Sequence, residues 1–167
     1  KQAIDLLKSE GIYTVMLTGD SQNTGKAIAA ESHVEGYIAE CLPETKVHEL
    51  KKLKEQYGQV AMVGDGINDA PALATANVGI AMGEGSDVAL ETADVVLMKN
   101  DLPKIAEAIN LSRRMNRIVK QNIVFSILVI MVLIASNFLQ LLDLPYGVIG
   151  HEGSTILVIL NSLRLLK

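Results

Sequence analysis

The stretch Gly64-Asp65-Gly66-Ile67-Asn68-Asp69 packs two carboxylates and an amide between glycines. Carboxylate oxygens are hard ligands, and Mg²⁺ takes one or two of them while keeping its other positions for water and phosphate. Gly64 and Gly66 let the backbone turn tightly and approach a ligand. Asp65, Asn68 and Asp69 therefore suit magnesium-assisted phosphoryl chemistry; the alternative is a turn that caps a helix at Ala70. Thr18-Gly19-Asp20 offers a hydroxyl and an unhindered N–H to a phosphoryl oxygen, or forms a simple turn. Lys46, just after Pro43 at a helix start, either points to solvent or aims a point charge at the phosphoryl group. Gly83-Glu84-Gly85-Ser86-Asp87 reads as a turn and helix N-cap.

A second constellation lies near the C-terminal end, in His151-Glu152-Gly153-Ser154-Thr155. Ionisable groups are costly inside a bilayer, yet these sit in an otherwise apolar segment. Imidazole, carboxylate and hydroxyls form a mixed N/O set that suits borderline divalent metals such as Co²⁺, Zn²⁺ and Fe²⁺ better than Cu⁺. His151 and Thr155, four apart, share a helical face. Glu152 joins it if the helix is distorted. Gly147, Gly150 and Gly153 favour close helix contact or local unwinding, and unwound backbone at membrane depth lines sites. The plainer alternative is that His151 and Glu152 lie solvated at the outer interface.

The elements that must position these groups follow from periodicity. Residues 14–19, 59–66, 77–83 and 93–98 are short apolar, β-branched runs, the mark of buried parallel strands. Helical patterns cover 1–10, 23–32, 45–57, 86–92 and 102–114. The alternation predicts a doubly wound α/β sheet, whose sites form at the carboxyl ends of strands.

Composition divides the chain near Arg117. All acids except Asp143 and Glu152 precede it, and between Gln121 and Leu163 those two are the only formal charges. Residues 1–116 read as a soluble domain and 117–167 as a two-helix transmembrane hairpin, with helices over about 119–142 and 146–166. The charge-free run 123–142 would extend about 30 Å, the thickness of a bilayer core. Ser126, Ser136, Asn137 and Gln140 are its polar members and are expected to face other helices. Residues 143–147 break the run with Pro145 and Gly147. Basic residues (Arg113, Arg114, Arg117, Lys120; Arg164, Lys167) flank both outer ends and are missing from the hairpin turn, which puts the ends and the soluble domain in the cytoplasm of a multi-pass membrane protein. The helix over 102–120 is expected to run from the domain into the membrane. The single Cys41 excludes an internal disulfide and a Cys-x-x-Cys metal site. The acidic soluble part argues against nucleic acid as a partner.

"MLTGD", "LPETK" and "MVGDGINDAPAL", in this order and spacing, resemble the phosphorylation domain of P-type ATPases, within the haloacid-dehalogenase-like superfamily. The resemblance covers the whole chain. It implies that Thr18 and Gly19 hold an aspartyl phosphate, with Asp20 in the same motif, that Lys46 neutralises the phosphate, that Asp65 ligates Mg²⁺, and that Asn68 and Asp69 support that site. "HEGST" with "LNSLRLL" resembles the last membrane helix of the cobalt-type heavy-metal pumps, also linked to zinc and iron. The zinc/cadmium/lead subgroup characteristically carries an aspartate there, and copper pumps Met and Ser. His151, Glu152, Thr155 and, more weakly, Ser154 are then metal-coordinating or release residues. The implied nucleophile, the Asp of Asp-Lys-Thr-Gly-Thr, does not occur in this sequence. ATP would be bound mainly by a nucleotide-binding domain outside the chain, and the actuator domain, earlier membrane helices and a Ser-Pro-Cys motif would also lie elsewhere in the pump. The expectations are an ATP-driven divalent-metal exporter, inactive as this isolated segment; a membrane-anchored phosphatase; or a truncated, non-catalytic fragment.

Overall fold

The computed structural model describes residues 1–140 and 144–166. Elements follow in the order α1 (Gln2–Ser9), β1 (Val15–Leu17), α2 (Gln22–Ser32), β2 (Gly36–Ile38), α3 (Pro43–Tyr57), β3 (Ala61–Gly64), a 3₁₀ turn (Ile67–Asp69), α4 (Ala70–Thr75), β4 (Val78–Met82), α5 (Asp87–Thr92), β5 (Val95–Leu97), α6 (Pro103–Phe138), α7 (Leu144–Ser162) and a closing 3₁₀ turn (Leu163–Leu166). Two compact units divide between Ala106 and Glu107, inside α6 and ahead of the composition boundary near Arg117.

The first unit is a parallel α/β assembly, as the alternation predicts. Its strands form two ladders, β1–β2 and β3–β4–β5. Val15 pairs with Gly36 and Leu17 with Ile38 in the first. Ala61 pairs with Val78 and Gly64 with Ala81 in the second, and Met82 pairs with Leu97 beyond it. Parallel strands are normally buried on both faces, and β4 follows that rule through Gly79, Ile80 and Ala81. Every residue of β1 is only half-buried. The core gathers Leu50 of α3, Met62 of β3, Ala72 and Leu73 of α4, Ala81 of β4 and Ala89 of α5, with Leu17 of β1 packed against it. Strand β2 goes beyond the sequence expectation: Gly36-Tyr37-Ile38 is too short, and Tyr37 too exposed, to show as an apolar run.

Local chemistry explains the helix starts. Ser21 Oγ accepts from Thr24 N at 3.4 Å and caps α2. Ser86 Oγ accepts from Ala89 N at 3.3 Å and caps α5, the role expected of that cluster. Pro43 sits in the first turn of α3, where its missing N–H leaves no bond unmade.

Helix α6, whose residues from Glu107 on belong to the second unit, is one continuous helix joining the pattern over 102–114 to the apolar run, in keeping with the helix over 102–120 expected to lead out of the domain. It is long and apolar enough to cross a membrane, with a mean hydropathy of 2.3 over its best window. Two expectations for α7 are corrected. Gly147 lies inside the helix and does not break it, while Pro145 occupies its first turn; Leu141, Leu142 and Asp143 of the expected break and helix end lie outside the described residues. The helix is also regular through Gly147, Gly150 and Gly153, so no local unwinding occurs there. An i→i+4 ladder satisfies its own backbone, and in an apolar segment unwinding would leave those groups without partners. Of the three glycines only Gly150 makes a close approach: a Cβ there would lie 3.3 Å from Leu133 Cδ2 of α6.

Candidate functional site

The residues expected to handle phosphate lie at or near strand ends in the first unit. Thr18 follows β1, where its hydroxyl donates to Asp20 Oδ2 at 2.6 Å and accepts from Asp20 N at 3.2 Å. The Thr18 carbonyl accepts from Cys41 N at 2.9 Å, which ties it to the loop after β2. That loop leads into α3, whose first turns carry Lys46. Lys46 Nζ donates to Asp69 Oδ1 at 2.7 Å, bridging α3 to the 3₁₀ turn after β3. Both side chains are nearly buried, at 16% and 12% exposure, so the charge-assisted bond is little screened. The other Asp69 oxygen accepts from Gly66 N at 3.4 Å. Asp69 is thus held from two sides.

Glycine is required beside this pair. A Cβ on Gly64 would stand 2.7 Å from Asp69 Cβ and 3.1 Å from its Oδ2. Gly85 meets the same demand from the other side, since a Cβ there would lie 2.8 Å from the Asp65 carbonyl. Ser86 N donates to that carbonyl at 2.8 Å. The turn after β4 therefore braces the backbone of Asp65, a role beyond the cap that sequence reasoning assigns it; the sequence signal was the paired Gly83 and Gly85. Asp65 and Asn68 themselves are exposed. The Asp65 carboxylate makes no hydrogen bond or ion pair with any described residue, so its oxygens are available to a hard cation. Cys41 is buried beside this region. Burial pushes its thiol pKa up, opposed by the Lys46 charge, which favours the neutral thiol.

The second unit holds a cleft of about 150 Å³ lined by Ser126 and Ile130 of α6 and His151, Ser154, Thr155 and Val158 of α7. His151 and Thr155 lie on one face, as their spacing predicts. Glu152 is exposed and does not line the cleft, because α7 lacks the distortion that would turn it there. Ser154 Oγ and Thr155 Oγ1 donate to the His151 carbonyl at 2.6 and 3.2 Å. Their protons are committed to backbone, which leaves oxygen lone pairs for an electrophile. Among the described residues no three His, Cys, Asp or Glu side chains converge, so a complete metal shell needs further ligands. Ile130, an apolar wall, carried no signal in the sequence.

A family model described as haloacid dehalogenase-like hydrolase matches residues 1–77. The whole chain is 65% identical to a zinc-transporting ATPase of Bacillus subtilis (strain 168), of which it covers 26%. It is 46% identical to a probable cadmium-transporting ATPase of Staphylococcus aureus (strain MRSA252), of which it covers 23%. The crystal structure of a zinc-transporting PIB-type ATPase in the E2.Pi state matches with a TM-score of 0.93 at 42% identity, over 99% of this chain and 27% of that one. The chain thus spans about a quarter of the length of the relatives it matches, and its parallel-sheet unit has the haloacid-dehalogenase-like fold.

Proposed function

We propose, on the premise that this chain is a segment of a heavy-metal P-type ATPase, that it supplies the phosphate-stabilising half of the pump's catalytic site and one wall of its cation path. The observation that carries the reading is the Lys46–Asp69 pair, held at 2.7 Å, in which Asp69 belongs to the same segment after β3 as the unpartnered Asp65 carboxylate. Phosphoryl transfer needs little covalent chemistry from the protein beyond positioning and charge neutralisation. Lys46 neutralises phosphoryl charge, and Asp69 holds its ammonium in place. The Thr18 hydroxyl and Gly19 N–H bind phosphoryl oxygens, with Asp20 orienting the Thr18 side chain. Asn68 offers an amide to the same group. Asp65 would hold Mg²⁺, which when bound supplies further neutralisation. The nucleophilic aspartate comes from a part of the pump outside this sequence, and ATP is bound mainly by another domain. A strand carrying that aspartate between β1 and β3 would join the two ladders and cover the half-buried face of β1.

The cargo is proposed to be a borderline divalent cation, Zn²⁺ first and then Co²⁺ or Fe²⁺. His151 and Thr155 lead the contact, Ser154 assists, and Glu152 serves on entry or release. Both α6 and α7 cross the membrane in this reading, with the sheet unit in the cytoplasm, and the remaining domains of the pump are its partners. The test uses the full-length pump in proteoliposomes, comparing wild type with His151→Ala for ATP hydrolysis in Zn²⁺, Co²⁺, Fe²⁺, Cd²⁺ and Cu⁺. One divalent metal stimulates the wild type, and the substitution removes that stimulation. Unchanged stimulation in His151→Ala makes His151 an interfacial residue and sinks the cation-path assignment.

A further inference from the structure

The polar residues of the α6–α7 seam extend beyond the cleft. Asn122 Nδ2 donates to Ser162 Oγ at 2.9 Å, and Asn122 Oδ1 accepts from Asn161 Nδ2 at 2.8 Å. Ser162 Oγ donates onward to the Val158 carbonyl at 2.9 Å. Because the single hydroxyl proton of Ser162 is committed there, Ser162 must accept from Asn122, and the amide orientation of Asn122 is settled by the network. Asn161 Oδ1 also accepts from Arg164 Nη1 at 3.0 Å, and Arg114 donates to the Arg164 carbonyl. One α6 side chain is thus gripped at both ends of its amide by two successive residues of α7.

This grip shares its helical stripes with the cleft. On α6, Asn122, Ser126 and Ile130 recur every four residues, and on α7, His151, Thr155, Val158 and Ser162 follow the i, i+4, i+7, i+11 pattern. Asn122 stands about 6 Å along α6 from Ser126, at ~1.5 Å per residue. Aliphatic contacts between helices can slide, whereas a two-ended amide bond accepts one register only; a lone polar residue in an apolar interface specifies register in the same way. A rotation of α6 by one residue, about 100°, would carry Ser126 away from His151.

We propose that Asn122 is the positioning residue of the cation cleft: its amide, clamped between Asn161 and Ser162, sets the register that holds Ser126 and Ile130 opposite His151, Ser154 and Thr155. This rests on the reading of the cleft as part of the cation path. Asn122 touches no cargo; it acts through the placement of α6.

The experiment measures ATP hydrolysis against free Zn²⁺ for the full-length pump in proteoliposomes, as wild type, Asn122→Leu, Asn122→Asp, His151→Ala and Asn122→Leu with His151→Ala. Asn122→Asp keeps one oxygen for the Asn161 amide and offers a second to the Ser162 hydroxyl once that proton turns away from the Val158 carbonyl. Asn122→Leu raises the half-saturating Zn²⁺ concentration about tenfold, the scale of a lost interhelical hydrogen-bond pair, and lowers the maximal rate much less. Asn122→Asp recovers most of the difference. In the Asn122→Leu background, His151→Ala still removes the stimulation, because Asn122 acts only through the placement of a cleft whose leading contact is His151. A fall in maximal rate at unchanged half-saturation overturns the proposal and leaves Asn122 a packing residue. If His151→Ala alone changes nothing, the cleft reading itself fails; if it acts and Asn122→Leu does not, only the positioning role fails. Should Asn122→Leu not assemble, oxidative cross-linking of Ser126→Cys with Thr155→Cys in membranes gives the answer, with Asn122 or Asn122→Ser. Positioning predicts a severalfold lower yield with Asn122→Ser, whose short hydroxyl reaches only one partner, and equal yields overturn it.

Discussion

The two sites of this chain are built on opposite plans. At the strand ends, Thr18, Lys46, Asp65 and Ser86 come from four separate segments and are joined by backbone and ion-pair contacts such as Cys41 to Thr18, Lys46 to Asp69 and Ser86 to Asp65. In the second unit, His151, Ser154 and Thr155 belong to one helix and satisfy their hydroxyls on its own backbone. The first plan holds the Lys46–Asp69 pair from two sides, and glycine is obligatory where two segments touch. The second plan commits the hydroxyl protons to a regular helix's own backbone, leaves their oxygen lone pairs open, and makes their usefulness depend on what stands opposite. In the proposed reading the contrast has a reason: charge neutralisation needs an arrangement built before the charge arrives, whereas a cation that must enter and leave is served by a site with fewer commitments.

The contrast can be broken or sharpened at several points. The largest effect is all-or-none. The isolated chain forms no acid-stable phosphoenzyme from [γ-³²P]ATP while the full-length pump does, because the nucleophile lies elsewhere; label on the isolated chain would overturn the division of the catalytic site. Next, Lys46→Met in the full-length pump lowers metal-stimulated turnover roughly a hundredfold or more, the usual cost of removing one preorganised charge-stabilising group. If turnover stays within a few-fold, the Lys46–Asp69 pair is only structural.

Glycine substitutions then separate the two plans on stability alone. Gly64→Ala drives a Cβ against Asp69 and costs roughly 2–3 kcal/mol, as overpacking does. Gly153→Ala meets nothing within 4 Å and gains about 0.5–1 kcal/mol from helix propensity. Urea unfolding of the chain in detergent checks both, and equal effects would show that the sterics at Gly64 do not matter.

The smallest effect is on pH dependence. Burial raises the Cys41 thiol above its ordinary 9.0, so the folded chain holds this proton more tightly than the unfolded one. The resulting stability is present below that value and is lost as pH rises through it. Between pH 8 and 10.5 the unfolding midpoint of the wild type therefore falls further than that of Cys41→Ala. Matching slopes would place Cys41 in an environment no less polar than solvent.

Much of the fold was legible because its signals are local. The runs that became β1, β3, β4 and β5 are apolar and end in turn residues, and Ser21, Ser86 and Pro43 announce helix starts. Strand β2 escaped because three residues with an exposed tyrosine carry no period. The glycines of α7 misled for a related reason. Glycine permits unwinding without requiring it, and an apolar segment keeps its helical ladder unless something else receives the freed groups.

What the sequence by itself determined is the inventory of chemistry: hard oxygens, a lysine and a threonine at strand ends, imidazole and hydroxyls on an apolar helix, and hydrophobic periods that decide strand from helix. These are properties of neighbouring residues, so spacing is enough to read them. Only the tertiary structure decided that Lys46 meets Asp69, that Gly85 and Ser86 brace Asp65, that Ser126 lines the cleft and Glu152 does not, and that Asn122 is gripped by Asn161 and Ser162. Each of these depends on which strand pairs with which and on how one helix is turned against another. Such choices are set by packing between segments far apart in the chain, which no local period encodes.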